Sequence, residues 1–389
     1  MTPQGVTQDN KSKASSKQEG STMETLGNSH TRAGRPHSKL AVALGAAVLV
    51  AAMAIAPLSA QAQTQSGQGA STSDKVDTLG AIKARGYLIC GVAGDRPGFS
   101  FPDSKGVMQG LDADICRSVA AAIFGDAEKI RFASLTSLTR FPALQSGEVD
   151  MLARFTTWTL TREASLGLDV ASVYFYDGQG FMAKKSLGVK SALELDGATV
   201  CVTQGTTSEA NMVDFFRAHN LGLKPVVIEK IEQVRDALAS NRCDAYTNDA
   251  SQLGSLKLTM GPAGDEYILL PEIISKEPLG AFVRKGDQRF FDIVRWTYIA
   301  MLTAEELGIA KSNIDTFRKT RDPQNQRFMG ETGDLGAALG LDPQWAANVV
   351  KAVGNTAELW DRTIANLGIQ RGVNRLAKDG GLQYAPPMR

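Results

Sequence analysis

A chain of 389 residues with 42 basic and 41 acidic side chains carries almost no net charge, and its 43% hydrophobic content supports a substantial core. Such a balance offers no polycationic surface for a nucleic acid, so no nucleic-acid partner is expected. Three histidines in the whole chain argue against a multi-histidine metal site.

Residues 1–39 are polar and basic and end in TRAGRPHSK, after which the uncharged run LAVALGAAVLVAAMAIAPLSA leads into AQA. A positive stretch, an apolar stretch and a small-residue site in that order describe a secretory signal peptide, residues 1–62, cut after Ala62. Leu40–Leu58 is just long enough for a retained membrane anchor, but Pro57 and the Ala60/Ala62 pair favour cleavage. The leader is long, and Met23 is an alternative start. No cysteine lies at the boundary, which argues against a lipid anchor. Cleavage removes six basic and three acidic residues with His30 and His37, leaving 36 basic against 38 acidic side chains. Residues 63–74, QTQSGQGASTSD, form a linker without core-forming residues.

Strand and helix patterns then alternate. YLICGV (87–92) reads as a buried strand, and GLDADICRSVAAAIFG sets Leu111, Ile115, Val119 and Ile123 on one helix face. KIRFASL is a strand, TRFPALQSG a short helix and VDMLAR another strand. The beat resumes at GATVCVT (197–203), SEANMVDFFRAHN, PVVIEKI, QVRDALASN and CDAYTND. This alternation predicts an α/β protein with parallel sheets, and two such runs predict two lobes. The first comprises 75–180 plus 287–316, including the long helix after Asp287. The second comprises 181–286, with crossings at QGFMAKK (179–185) and LGAFVRKGD (279–287). Residues 317–389 form a mostly helical C-terminal extension.

An exported chain meets an oxidising compartment where disulfides persist. Cys90, Cys116, Cys201 and Cys243 allow three connectivities. Cys90–Cys116 and Cys201–Cys243 are favoured because each pair stays within one lobe; buried free thiols are the alternative. His219, the one histidine beyond the leader, sits at a helix end in FRAHNLG and reads as a surface residue.

Ligands of open α/β sheets bind beyond the carboxyl ends of the strands. Three loops fall there: AGDRPGFSFPD, TTWTLTR and TQGTTSE. In the third, Gly205 permits a tight turn and Thr206, Thr207 and Ser208 open a helix whose free N–H groups attract an anion, although an ordinary helix cap has the same composition. Arg162 in the second can clamp a carboxylate bidentately, and Thr157 and Thr159 share strand parity. Asp249, closing CDAYTND, can accept from an ammonium group or cap the next helix. Together these residues describe the two poles of an α-amino acid.

RFPALQSGEVDML, TTWTLTR, YFYDGQGFM, TQGTTSE and DAYTND, with EPLGAFVRKGDQRFFDIVRWTYIAMLTAEELGI and the tail motifs through GGLQYAPPMR, resemble the solute-binding proteins of polar amino-acid ABC transporters (family 3), closest to the general L-amino-acid-binding branch. The likeness runs from about residue 75 to the C-terminus. It implies a type II periplasmic binding protein fold with hinge crossings. It implies capture of L-amino acids, Glu, Gln and Asp foremost, for permease subunits in the inner membrane, by a periplasmic monomer without cofactor. On that likeness Arg162 holds the α-carboxylate with Thr159 and the Thr207 amide. Asp249 with Thr157 holds the ammonium, Phe99 lies along the ligand stem, and Arg140 meets a side-chain carboxylate. Asp95, Arg96 and Phe155 depart from the family pattern and bear on side-chain specificity. The competing reading is a periplasmic dehydratase of prephenate or arogenate on a similar fold, which needs a carboxylic acid in the cleft with a proton partner that the sequence does not supply.

Overall fold

The structure, a computed structural model, describes residues 76–389. The leader, its cleavage point and the linker lie outside the described residues.

The strands run in chain order as β1 (Leu88–Val92), β2 (Phe101–Pro102), β3 (Met108–Gln109), β4 (Ile130–Ser134), β5 (Met151–Thr157), β6 (Leu168–Asp177), β7 (Gln179–Lys184), β8 (Thr199–Thr203), β9 (Lys224–Ile228), β10 (Ala245–Asp249), β11 (Tyr267–Leu269) and β12 (Glu277–Arg284). They form two five-stranded sheets, ordered β4-β1-β5-β12-β6 and β11-β7-β10-β8-β9, beside the small β2–β3 hairpin. In each sheet three neighbouring strands are parallel, as the alternation predicts. The rest run antiparallel, so both sheets are mixed rather than purely parallel.

Those antiparallel strands include the segments expected to be crossings. Gln179–Lys184 is a full strand of the second sheet, and Glu277–Arg284 lies inside the first between β5 and β6. The chain changes sheets at Gly178 and returns across residues 270–276. The reason is burial: Leu279, Ala281, Phe282 and Val283 are all fully buried, and a near-continuous apolar run belongs in a strand covered on both faces. The expected boundary at 286 is therefore corrected to the start of β12.

Helices cover both faces of each sheet. On the first, α1 (Thr78–Arg85) precedes β1, and α2 (Leu111–Phe124), α3 (Arg140–Ser146) and α4 (Leu160–Ala164) follow β3, β4 and β5. α2 is buried on every side through its Ala120–Ala122 run, as expected of a helix apolar all round. On the second, α5 (Thr207–Ala218), α6 (Ile231–Ala239) and α7 (Ala250–Thr259) do the same; α8 (Gln288–Leu307), capped by Asp287, packs back on β6 and β12. The extension adds α9 (Pro323–Phe328), α10 (Leu335–Leu339), α11 (Trp345–Ala352) and α12 (Thr356–Thr363), whose Phe328, Trp345, Val349, Val350 and Trp360 join the first sheet's core. Cys90–Cys116 ties β1 to α2 and Cys201–Cys243 ties β8 to the turn before β10. His219 is an exposed C-cap residue of α5.

Candidate functional site

The carboxyl ends of β1, β5, β8 and β10 converge on one small cavity of about 20 Å³, lined by Arg96, Ser137, Arg140, Arg154, Phe155, Thr157 and Arg162 from the first sheet's side and Thr206, Thr207, Ser208, Asn248 and Asp249 from the second's. Six of the nine residues expected at a ligand, Arg140, Thr157, Arg162, Thr206, Thr207 and Asp249, therefore line it directly.

Of the other three, Gly205 and Phe99 stand directly behind it, against Arg140 and Phe155. Gly205, at φ 70°, makes the left-handed turn that starts α5 and presents its carbonyl to Arg140 Nη2 at 3.3 Å, a bond between the two sheets' loops. Thr206 then caps α5 by accepting from the Glu209 N–H at 3.3 Å. Thr159 departs from its expectation. Strand β5 ends at Thr157, and Thr159 is the N-cap of α4, its hydroxyl accepting from the Arg162 N–H at 3.3 Å. The parity shared with Thr157 is lost at the strand end, so the hydroxyl serves the helix that carries Arg162. Phe99 is fully buried one layer behind the cavity, edge-on to Phe155 at 4.6 Å, and Phe155 is the aromatic ring that lines it.

Phe155 reaches the cavity through an irregular backbone. Leu279 pairs with Thr157 while Ala281 pairs with Ala153, so β5 carries extra length over Arg154–Thr156. Phe155 sits there at φ 46°, a left-handed conformation costly for a residue with a Cβ. This bulge was not legible in VDMLARFTT, which contains no glycine to mark it.

Arg96, Arg140, Arg154 and Arg162 are all at least nine-tenths buried. Burial and the nearby cations push Arg140 well below its usual range, and burial brings Arg154 and Arg162 down to about 10. Arg162 Nη1 donates to the Thr157 carbonyl at 2.7 Å, and Arg154 Nε donates to the Leu135 carbonyl at 2.9 Å. Arg96 Nε and Arg140 Nε have no hydrogen-bond partner among the described residues. Arg96 Nη1 lies 3.1 Å from Asp95 Oδ1 but without hydrogen-bond alignment, so the contact is an ion pair only. Unpaired buried donors favour an anion at this point.

The opposite pole is acidic. Burial, and the carboxylates of Asp177 and Glu277, hold Asp249 well above the usual carboxylate range despite Arg162 and Arg140. Asp249 stands at the N-cap position of α7 without capping it, leaving its carboxylate to the cavity. Asp177 at the first crossing is raised by burial to about 6, against bonds from Ser251 and the Gly178 N–H. Glu277 at the second crossing accepts from Thr157, Thr207, Asn211 and Ser275. Among the described residues no group of three His, Cys, Asp or Glu side chains is placed to hold a metal, and no helix is long and apolar enough to cross a membrane.

The site thus sets several cationic donors against one buried carboxylate, Asp249, within a gap between two sheets. Residues 88–311 match the model of the bacterial extracellular solute-binding proteins, family 3. The chain is 50% identical to the general L-amino acid-binding periplasmic protein AapJ of Rhizobium johnstonii, over 80% of this chain and 93% of that protein. It is 48% identical to the glutamate/glutamine/aspartate/asparagine-binding protein BztA of Rhodobacter capsulatus, over 80% and 93%. A solved ABC-transporter periplasmic binding protein of Brucella ovis with glutathione bound is 49% identical and superposes with a TM-score of 0.78, over 80% of this chain and 99% of that one.

Proposed function

Because the chain belongs to the bacterial extracellular solute-binding proteins of family 3 and has the type II periplasmic binding protein fold, we propose that it is the periplasmic amino-acid-binding component of an ABC importer. It takes L-amino acids with polar or acidic side chains, glutamate, glutamine and aspartate foremost, and passes them to permease subunits in the inner membrane. The observation that carries this reading is Arg162 and Asp249 facing one cavity from opposite sheets, among three further buried arginines.

Arg162 and the α5 amides around Thr207 receive the α-carboxylate, where charge-assisted bonds are strongest. Asp249 receives the ammonium group, and a cation there returns the countercharge that burial and the neighbouring carboxylates deny it. Arg140, with Arg96 beside it, meets a side-chain carboxylate, and Phe155 backed by Phe99 walls the ligand stem. The two lobes move about the crossings at Gly178 and residues 270–276, and ligand binding shifts the population toward the closed state. Bonds that link the sheets' loops support this motion: Arg140 to the Gly205 carbonyl, and Ser255 Oγ to the Pro97 carbonyl at 3.1 Å. The chain works as a monomer after export and cleavage of residues 1–62, and it performs no covalent chemistry.

A thermal-shift and calorimetric screen of the exported chain against the twenty L-amino acids and glutathione is the test. Stabilisation by glutamate, glutamine or aspartate is the expected outcome. Binding of none of them refutes the reading, and release of an aromatic product from prephenate or arogenate would replace it with a dehydratase.

A further inference from the structure

Glu277 is 1% exposed at the point where the chain re-enters the first sheet, and its donors come from both sides of the cavity. Oε2 accepts from Thr157 Oγ1 at 2.5 Å and from Thr207 Oγ1 at 2.8 Å. Oε1 accepts from Asn211 Nδ2 at 2.9 Å and from Ser275 Oγ at 2.5 Å. Thr157 ends β5 of the first sheet, whereas Thr207 and Asn211 belong to α5, which packs on the second.

A carboxylate only accepts hydrogen bonds, and a hydroxyl has one proton to give. Both threonine protons are therefore committed to Oε2. The Thr157–Thr207 separation of 3.3 Å then joins two hydroxyls with no proton left between them, and each turns only lone pairs to the cavity that both residues line. We infer that Glu277 is a positioning residue that fixes these two hydroxyls as acceptors and so completes, with Asp249, a subsite for an ammonium group. The pair is assembled only when the two sheets' loops meet, because its members sit on opposite sides. Closure and recognition of the amino group are thus one event. This rests on the amino-acid reading above and adds to it how the protein tells an amino acid from the same carbon skeleton without nitrogen.

Calorimetry with L-glutamate and glutarate, which share both carboxylates and differ by the ammonium group, measures that discrimination as a ratio of affinities. In Glu277→Gln an amide donor can enter the network, and in Glu277→Met the hydroxyls are released. Both variants are expected to lower the glutamate-to-glutarate ratio at least tenfold, mainly through glutamate. A parallel loss for both ligands, or an unchanged ratio, overturns the inference, because a purely structural role moves both equally. Should the Glu277 variants fail to fold, Thr207→Val leaves Glu277 three of its donors and must lower the same ratio; an unchanged ratio there overturns it too. A wild-type chain that binds neither ligand defeats the amino-acid reading itself and the inference with it, whereas wild-type selectivity that survives in the variants defeats the inference alone.

Discussion

Arg140 and Arg162 are buried side by side, and each is a cost to the ligand-free protein that an anion relieves. Arg162→Ala is therefore expected to reduce glutamate affinity beyond calorimetric detection while leaving the melting temperature of the ligand-free chain unchanged or raised; retained affinity would remove Arg162 from recognition. Asp112 makes a different test. Burial raises it from an ordinary 3.8 to about 6, even with Tyr174 Oη donating at 2.7 Å. Between roughly pH 4 and 6 the folded chain keeps a proton the unfolded chain has lost, so this group makes stability fall as pH rises through that window. Asp112→Asn, which mimics the neutral form, should gain on the wild type by about 2–3 kcal/mol from pH 4 to pH 7 in urea unfolding; a pH-independent difference would mean Asp112 is charged throughout. Arg162, Asp249 and the threonines of TQGTTSE could be chosen from sequence because their types follow strand ends, where α/β ligands bind. Arg154 and Glu277 could not, since a strand interior and a sheet re-entry give no such sign. Arg96 stood out only as a departure from the family pattern.

At the scale of elements, alternating patterns placed β8, α5, β9, α6 and β10 close to their observed spans, since each is a period-2 or period-3.6 run bounded by turn residues. The antiparallel direction of β7 and β12 is not read from their sequences, because pairing direction depends on what a strand lies beside, which local pattern does not encode. The start of α5 tests how the two sheets' loops fit. Gly205 stands at φ 70°, and a Cβ there would come 2.8 Å from Cδ2 of Leu138, in the loop after β4 of the first sheet. Gly205→Ala is expected to cost about 1 kcal/mol of stability from the left-handed backbone. Its effect on glutamate affinity should be larger than that stability loss implies, because the methyl meets Leu138 when the loops are together. Equal affinity in the variant and wild type would show that this contact plays no part in closure.

Across the whole molecule the extension is coupled to the cavity through aromatic rings. Trp360 of α12 stacks on Phe175 at 5.6 Å, Phe175 meets Phe99 at 5.3 Å, and Phe99 meets Phe155 at 4.6 Å. The family match ends at residue 311, so these rings join a segment beyond it to a residue at the centre of the site. Sequence alone marks the extension as helical but not as core, because its helices are short and the two longest, α11 and α12, pack against α2 and α8 rather than forming a core of their own. Trp345, Val349 and Val350 are within 2% of complete burial, so removing the segment would uncover a contiguous apolar face of the first sheet's core. Trp360→Ala is expected to destabilise the chain by about 3 kcal/mol, the lower range for an aromatic-to-alanine change where the site is partly open. A chain ending at residue 318 should fail to fold cooperatively and should bind a hydrophobic dye, since no other element in the described residues covers α2 and α8 there. A truncated chain that melts in one sharp transition and still binds glutamate would show that the first sheet's core is sufficient without the extension, and that the ring contacts leading to Phe155 are dispensable.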